Sequence, residues 1–234
     1  MTRDEDKSRL PDDFAGKVRL FPLPNLVMFP HVMQPLHIFE PRYREMVEEA
    51  LETDQLIAMA LLQPGWETNR DECPPIYETV CIGRIVSHTR FEDGKLNILL
   101  LGLKRATIPI ELPLSRPFRE ASVTLVEDLY VGSSTQERAS IQRELLQCFR
   151  RFTPESPAAQ DQFESLMNNR LPLGALTDII SFTMKFDVSL KQRLLSEANV
   201  EQRARMLLAE LRKLDDSHAI DDDDRKFPPA FSAN

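Results

Sequence analysis

The residues that most often carry catalysis are spread along this chain of 234 residues instead of being grouped. The histidines stand singly, with no pair at the i, i+4 spacing that places two metal ligands on one helical face: His31, His37, His88 and His218. Cys73 and Cys81 do not form a C-x-x-C pair, and no matching pair follows them. The sequence therefore predicts no metal site, no cofactor and no catalytic residue.

Two groups of charged residues could form binding sites, and each also has a simpler interpretation. Glu40, Arg42 and Arg44 could bind an anion or a peptide carboxylate, but charges at a helix end are more often solvated surface. Lys104 and Arg105 could contact RNA, although two basic residues make only a weak patch. We favour the simpler interpretation for both groups.

The net charge of −8 is concentrated at the two ends of the chain, and residues 14–214 are close to neutral. The run Asp221–Asp224 could bind a cation or a basic partner, but runs of one charge are usually solvated. A nearly neutral body lacks the electrostatic footprint of a general nucleic-acid binder. We therefore do not expect nucleic acid as a partner.

Apolar residues in a proline-rich crossing are the best candidates for binding another protein: Met28, Phe29, His31 and Met33. Flexible methionine side chains suit a surface that accepts many peptides. The same residues could instead plug one end of a barrel of strands, which we favour because most apolar side chains are buried. Trp66 lies in a polar loop, where it could contact a peptide or fold back on the barrel.

Two strands and a helix enclose this crossing. Val18–Phe21 and Gln34–Ile38 have the composition of strands, and the prolines between them exclude a helix because each fixes φ and lacks a donor. Pro41 then begins a helix, since a proline in the first turn costs little. Its apolar residues recur with a helical period: Tyr43, Met46, Val47, Ala50 and Leu51.

Further short strands are predicted at residues 55–62, 77–86, 95–101, 105–110 and 118–126. Asp93-Gly94 indicates a tight turn between two antiparallel strands, because glycine tolerates positive φ. Gly83 interrupts its strand, as is typical of a bulge or a close approach. Six or seven short strands joined by tight turns favour a closed or nearly closed barrel.

The apolar period becomes helical after Ser134, which forms the S-x-x-E pattern of a capping box with Glu137. We predict a helix that begins at this capping box and carries Ile141, Leu145, Phe149 and Phe152 on one face. Further helices are predicted after Pro172 and from Ser189 and Asn199, with a weaker helix around residues 163–167. The sequence thus predicts an α+β chain with four parts. These are a flexible lead (1–15), a barrel subdomain (16–130), a helical-bundle subdomain (131–214) and a flexible acidic tail (215–234).

The cysteine count and the amino terminus both bear on location. With three cysteines, any disulfide scheme leaves one unpaired, which favours a reducing compartment. The first residues are charged and lack the apolar segment of a secretory signal. No apolar run reaches bilayer length, so we expect a cytoplasmic chain without a membrane partner.

The order of these features resembles the amino-terminal, substrate-binding domain of Lon proteases. The resemblance rests on short segments in a shared order: Leu23-Pro24, Phe29-Pro30, Pro35-Leu36 and residues 83–86, 93–96, 102–106, 176–180, 191–195 and 200–203. It spans residues 18–214. It implies a PUA-like barrel of about six strands with one helix, followed by a helical bundle.

The resemblance also implies a binding function without catalysis. Its partners would be unfolded or exposed apolar protein segments and, for an adaptor, a protease or a chaperone; no oligomeric state is implied. The seven glycines provide no G-x-x-x-x-G-K-[ST] loop for ATP, and no Lon peptidase module follows before Asn234. The alternatives are an RNA-binding module that uses the barrel and a small hydrolase, for which a nucleophile would have to be built from residues such as Cys81.

Overall fold

The two strands predicted on either side of the proline-rich crossing are present, and the later elements keep the predicted order. The structure, a computed structural model, describes residues 8–67, 73–132, 134–154, 156, 160, 164 and 171–218, with side chains up to residue 215. Its strands are β1 (Lys17–Leu23), β2 (Met33–Ile38), β3 (Leu56–Leu61), β4 (Thr79–Arg90), β5 (Leu96–Glu111) and β6 (Arg119–Val126). Its helices are α1 (Pro41–Glu52), α2 (Thr135–Arg150), α3 (Leu173–Thr183), α4 (Val188–Ser196) and α5 (Val200–His218). The residues of the weaker predicted helix, Phe163, Leu166 and Met167, lie outside the described part of the chain.

Five of the six strands are joined edge to edge into a closed ring. β1 pairs with β3 in parallel and with β6 in the antiparallel sense, and β4 pairs with both β3 and β5. The second half of β5 also pairs with β6, with Arg105 opposite Val126, and this pairing closes the ring. β2 pairs with the first half of β5, from Met33 opposite Leu101 to Ile38 opposite Leu96, and therefore lies outside the ring.

The two sides of this ring carry separate clusters of buried apolar residues. The inner cluster draws its members from all five ring strands and from no described helix, which places it inside the ring. Alanines are prominent in it, because small side chains fit the narrow interior of a five-stranded ring: Ala58, Ala60, Ala106 and Ala121. The outer cluster joins the other side of the strands to the apolar faces of α1 to α5. The helices therefore cover the outside of the ring.

β2, the second half of β4 and the first half of β5 form a three-stranded extension beyond the ring. On one face of this extension, Ile38, Leu96 and Leu100 are buried in the same cluster as Met46 and Val47 of α1. An ion pair of 2.7 Å between Arg90 of β4 and Glu48 of α1 spans the same side. The helix that begins at Pro41 thus covers one face of the extension.

A β-bulge leads the chain from the crossing into β2. His31 has a φ of 67° and donates its N–H to Gly102 O at 2.8 Å, while Gly102 N–H donates to Val32 O at 2.9 Å. Two residues of one chain segment therefore lie opposite one residue of β5. A Cβ atom on Gly102 would collide with the carbonyl oxygen of Phe29, so this close approach requires glycine.

The helix starts agree with the predicted capping patterns except at α4. Ser134 and Glu137 form the reciprocal capping box of α2, and Asn199 accepts the N–H of Gln202 at 3.1 Å at the start of α5. α4 is capped by Asp187, whose carboxylate accepts the N–H of Ser189 at 3.0 Å. The predicted capping position at Ser189 is therefore wrong by two residues, because Asp187 takes it and the helix begins at Val188.

Candidate functional site

One face of the three-stranded extension is not covered by any described helix. We call it the open face and define it by the residues that alternate with the buried ones: Met33, Pro35, His37, Ser87, Thr89, Asn97, Leu99 and Leu101. The register places them in rows across the strands, with Pro35 opposite Leu99 and Leu99 opposite Ser87. All are exposed or half-buried, whereas their neighbours Ile38, Leu96 and Leu100 are buried.

The open face and its rim expose large apolar side chains. Met33 is 59% exposed, and Phe39 and Phe91 at the rim are 49% and 42% exposed. The His37 ring stacks against Phe39 with centroids 6.1 Å apart and meets Phe91 edge-on at 6.2 Å. An exposed apolar patch with polar neighbours is typical of a surface that contacts another macromolecule.

The free edge of β2 is protected against pairing with another strand. Hydrogen bonds alternate along an antiparallel pair, so the bulge at His31 orients the main-chain groups of Met33, Pro35 and His37 towards the free edge. Pro35 has no N–H to offer, and Gln34 Nε2 donates to Pro35 O at 2.8 Å. A partner would therefore contact the open face rather than add a strand to the sheet.

Two of the residues predicted to contact a peptide are enclosed in the protein. Met28 and Phe29 are 1% and 0% exposed and belong to the outer cluster, between the strands and the helices. They do not plug the ring, because the inner cluster does not include them. Their side chains support the crossing from behind, and a peptide on the surface of this conformation would not reach them.

The other three predicted residues lie in different places. Met33 is part of the open face, and the exposed His31 lies just before it in the bulge. Trp66 is half-buried and packs against the inner cluster, so it folds back on the ring. Of the five predicted residues, the structure thus brings Met33 to the open face and His31 next to it.

Sequence reasoning missed most of the open face, including Leu99, Leu101 and the rim residues Phe39 and Phe91. A signal was present in β5, where Leu99–Leu101 form an uninterrupted apolar run. An antiparallel strand with one solvated face normally alternates apolar and polar residues. When a strand is apolar on both faces and a helix covers only one of them, the second face forms an apolar surface.

A separate cluster of charges, which we call the joint, connects the ring to the helices: Arg105, Asp128, Asp178 and Arg203. Arg105 is 3% exposed, and both of its terminal nitrogens donate to the carboxylate of Asp178, one of them at 3.0 Å. Its Nε donates to Leu195 O at 2.9 Å, and Arg203 Nη2 donates to Asp128 Oδ1 at 2.9 Å.

Each charge of the joint is therefore balanced inside the chain. Burial raises the pKa of Asp178 above its ordinary value, and the positive charges of Arg105 and Arg203 act in the opposite direction. Because Arg105 is enclosed and Lys104 pairs with Glu127 at the surface, these two residues do not form a free basic patch. The joint is a structural cluster that fixes α3 and α5 against β5.

The thiols and acids of the described residues show no arrangement for metal or nucleophilic chemistry. Cys81 is fully buried, and burial raises the pKa of its thiol, so it stays neutral. Cys73, Cys81 and Cys148 form no disulfide. Within the described ranges, no group of three or more His, Cys, Asp or Glu side chains is placed to hold a metal ion. The same part of the chain contains no helix both long enough and apolar enough to span a bilayer.

Comparison with curated proteins finds relatives among the Lon proteases. The Lon protease of Dictyoglomus thermophilum is 28% identical over 193 residues, which cover 82% of this chain and 24% of that protein. Lon protease 2 of Herpetosiphon aurantiacus is 26% identical over 206 residues, which cover 86% of this chain and 25% of that protein. The chain thus spans about a quarter of the length of the curated relatives it matches.

Solved structures and a family model agree with this assignment. The N-terminal domain of a Mycobacterium avium complex Lon protease has the same fold, with a TM-score of 0.64 at 18% identity, over 84% of this chain and 98% of that one. The Lon N-terminal domain protein of Xanthomonas campestris gives a TM-score of 0.60 at 19% identity, over 82% and 97%. The model of the substrate-binding domain of ATP-dependent protease La (LON) matches residues 17–213. The chain therefore belongs to the LON substrate-binding domain family.

Proposed function

We propose that this chain recognises exposed apolar segments of unfolded proteins through the open face and performs no catalysis itself. In this role it acts as an adaptor in the cytoplasm, where it brings such segments to a protease or a chaperone. The family match supports a substrate-recognition module. The observation that carries the proposal is the open face, on which Met33 is 59% exposed beside Leu99 and Leu101.

The chemistry of the open face suits many sequences rather than one. Methionine and leucine side chains adapt to apolar partners of different shape, and burying one such side chain contributes ~1.5–3 kcal/mol. The protected edge of β2 disfavours main-chain pairing with an added strand, which would accept extended segments regardless of their side chains. The proposed contact is therefore reversible and selective for apolar side chains.

The test is a binding titration with a permanently unfolded, reduced and alkylated protein that carries a fluorescent dye. Replacing Met33 and Leu99 by serine should weaken binding by at least about tenfold, because two apolar contacts are lost. Fluorescence anisotropy measures the affinity, and thermal unfolding checks that the variant is folded.

The matched control is Val131→Ser, which removes an apolar side chain that is 61% exposed on the segment between β6 and α2. The control should bind the unfolded protein as the wild type does. Equal losses in both variants would reduce the proposal to general surface hydrophobicity. Absence of binding to the wild-type chain would refute it.

RNA binding is not favoured by any observation on the described surface. The two basic residues that suggested it are engaged with acids, Lys104 with Glu127 and Arg105 with Asp178. A basic patch needs charges that are free to replace the counterions of a phosphate backbone. The protein-binding proposal therefore stands alone.

A further inference from the structure

A groove separate from the open face lies between the start of α1 and the segment that leads into β6. It has a volume of about 390 Å³, within the usual range of ligand pockets. Its walls combine basic, aromatic and apolar side chains: Pro22, Arg42, Tyr43, Cys73, Leu114, Arg116, Pro117, Phe118 and Arg119. The groove and the open face share no residue.

Two of its arginines lie over aromatic rings. The guanidinium carbon of Arg42 is 4.5 Å from the centroid of the Tyr43 ring, and that of Arg116 is 5.9 Å from the centroid of the Phe118 ring. Stacking holds a guanidinium in place while leaving its N–H groups at the edge available for an acceptor. The two side chains are thus oriented before any ligand arrives.

Both guanidiniums keep donors that no described residue uses. Arg42 directs Nε and Nη2 to Glu40, at 3.0 and 2.9 Å, and Arg116 directs Nη1 to Glu49. Within the described part of the chain, Arg42 Nη1 and Arg116 Nε and Nη2 have no partner. Such exposed ion pairs contribute only ~0–1 kcal/mol, so they do not prevent a second carboxylate from binding.

Arg119 has a different role from the other two. It is 9% exposed, donates Nε and Nη2 to the two oxygens of Glu111 at 2.9 and 2.6 Å, and donates Nη1 to Pro74 O at 2.8 Å. All of its terminal nitrogens are therefore occupied. Arg119 forms part of the wall of the groove, and its charge is balanced before a ligand binds.

Tyr43 adds a hydroxyl donor to the groove. Its side chain lines the groove and is 6% exposed, and its hydroxyl is not among the buried polar atoms that lack a partner, so the hydroxyl lies where water or a ligand can reach it. Burial raises the pKa of Tyr43 above its ordinary value, although Arg42 acts in the opposite direction, so the hydroxyl remains a donor at neutral pH. The hydroxyl can therefore donate to an acceptor that enters the groove.

The donors and the apolar walls together select one class of ligand. Because each arginine already has an acidic neighbour, the groove is not a general trap for polyanions such as nucleic acid. Free N–H and O–H donors fit the two oxygens of a single carboxylate. Leu114, which is 53% exposed, and Pro117 offer apolar surface next to them.

We propose that this groove binds the free carboxylate at the C-terminus of a protein segment whose last side chain is apolar. Arg42 and Arg116 donate to the carboxylate together with the Tyr43 hydroxyl, and the terminal side chain contacts Leu114 and Pro117. The inference rests on the proposed recognition of protein segments and narrows it to chain ends. The open face binds apolar side chains within a segment, whereas the groove binds the C-terminal residue of that segment.

The test compares two dye-labelled peptides of identical apolar sequence, one ending in a free carboxylate and the other in an amide. The wild-type chain should bind the free acid about tenfold more tightly, because hydrogen bonds to a charged group are strong. This preference should disappear in the double variant Arg42→Gln, Arg116→Gln and fall in Tyr43→Phe. It should persist in Arg90→Gln, since Arg90 pairs with Glu48 outside the groove.

The outcomes separate this inference from the proposed function. Equal affinity for acid and amide would overturn the groove proposal and leave recognition by the open face intact. A short aromatic carboxylic acid that binds as tightly as the peptide and competes with it would also overturn it, in favour of a small-molecule site. An acid preference that survives in Met33→Ser, Leu99→Ser but not in the double arginine variant would support it.

Discussion

The joint and the open face are opposite exceptions to the usual placement of side chains: the joint has charged groups inside the protein, and the open face has apolar groups at its surface. The joint buries three charged groups, Arg203 and Asp178 at 0% and Arg105 at 3% exposure, and pairs two of them with Asp128, whose side chain is 27% exposed. The open face leaves Met33, Leu99 and Leu101 in contact with water. In the joint, each charge has a partner of opposite sign within the chain. The described residues cover the apolar side chains of the open face only in part: Leu101 packs against the inner cluster and Leu99 is half-buried, while Met33 is 59% exposed.

This difference separates stability from binding. Buried charges are tolerated when they are paired and hydrogen-bonded, so the joint is complete as it stands. Covering an exposed apolar side chain with another surface lowers the free energy, which is why the proposed function assigns binding to the open face. Substitutions in the joint should therefore change the stability of the protein, and substitutions on the open face should change its interactions.

The largest effect is expected from Asp178→Ala. The substitution leaves the guanidiniums of Arg105 and Arg203 in a buried site without their shared carboxylate, and breaking a buried pair in this way costs ~3–5 kcal/mol. The free energy of unfolding, measured with urea, should fall by that amount.

The chain provides a matched control at adjacent positions. Lys104 and Glu127 directly precede Arg105 and Asp128 and form an ion pair at the surface, with side chains 40% and 65% exposed. Glu127→Ala should therefore cost less than ~1 kcal/mol. Similar losses for Asp178→Ala and Glu127→Ala would contradict the view that the joint holds the two parts together.

A smaller effect should distinguish the two faces of β5. Leu100 is buried in the outer cluster and Leu99 lies half-buried on the open face, so these neighbouring leucines lie on opposite sides of the same strand. Leu100→Ala should lower the free energy of unfolding by ~2–5 kcal/mol, since it leaves a cavity in the core. Leu99→Ala should lower it by less than ~1 kcal/mol. If both substitutions destabilised equally, the open face would be part of the core.

Local patterns in the sequence were sufficient for most of the fold. Prolines at positions 22, 24, 30 and 35 indicated the extended crossing, Asp93-Gly94 the turn, and Ser134 with Glu137 the start of α2. These signals act over a few residues. No local signal of this kind indicates that β5 and β6 close the ring. The closure depends on the length of β5, whose first half pairs with β2 and whose second half pairs with β6.

The candidate site was predicted less well because exposure is a property of the assembled sheet. Met28, Phe29 and Met33 have the same apolar character in the sequence, yet only Met33 reaches the surface. The bulge at His31 separates them, and it depends on the contact between His31 and Gly102, which are far apart in the chain. Likewise, the pairing of Arg105 with Asp178 could not be inferred from either residue alone.

The smallest effect is expected for a charged side chain that is partly buried, as in the joint, but has no partner of opposite charge among the described residues. Lys191 of α4 is half-buried, and its ammonium donates to Phe182 O at 2.7 Å, with no carboxylate partner among the described residues. Burial lowers the pKa of Lys191 from 10.5 to about 8. Between these two values the unfolded chain keeps its proton while the folded chain has lost it, so stability should rise as the pH increases from 8 to 10.5.

Lys191→Met should remove this rise and stabilise the protein at pH 7 by roughly 1 kcal/mol, a value reduced by the partial exposure of the ammonium. Urea unfolding at pH 7, 9 and 10 measures both effects, and the difference between variant and wild type cancels the titration of other groups. Lys185→Met, at an exposed position, should keep the pH dependence of the wild type. Parallel curves for wild type and Lys191→Met would show that the Phe182 carbonyl and the Phe182 ring, whose centroid is 5.6 Å from the ammonium, balance this charge as fully as the carboxylates balance the joint.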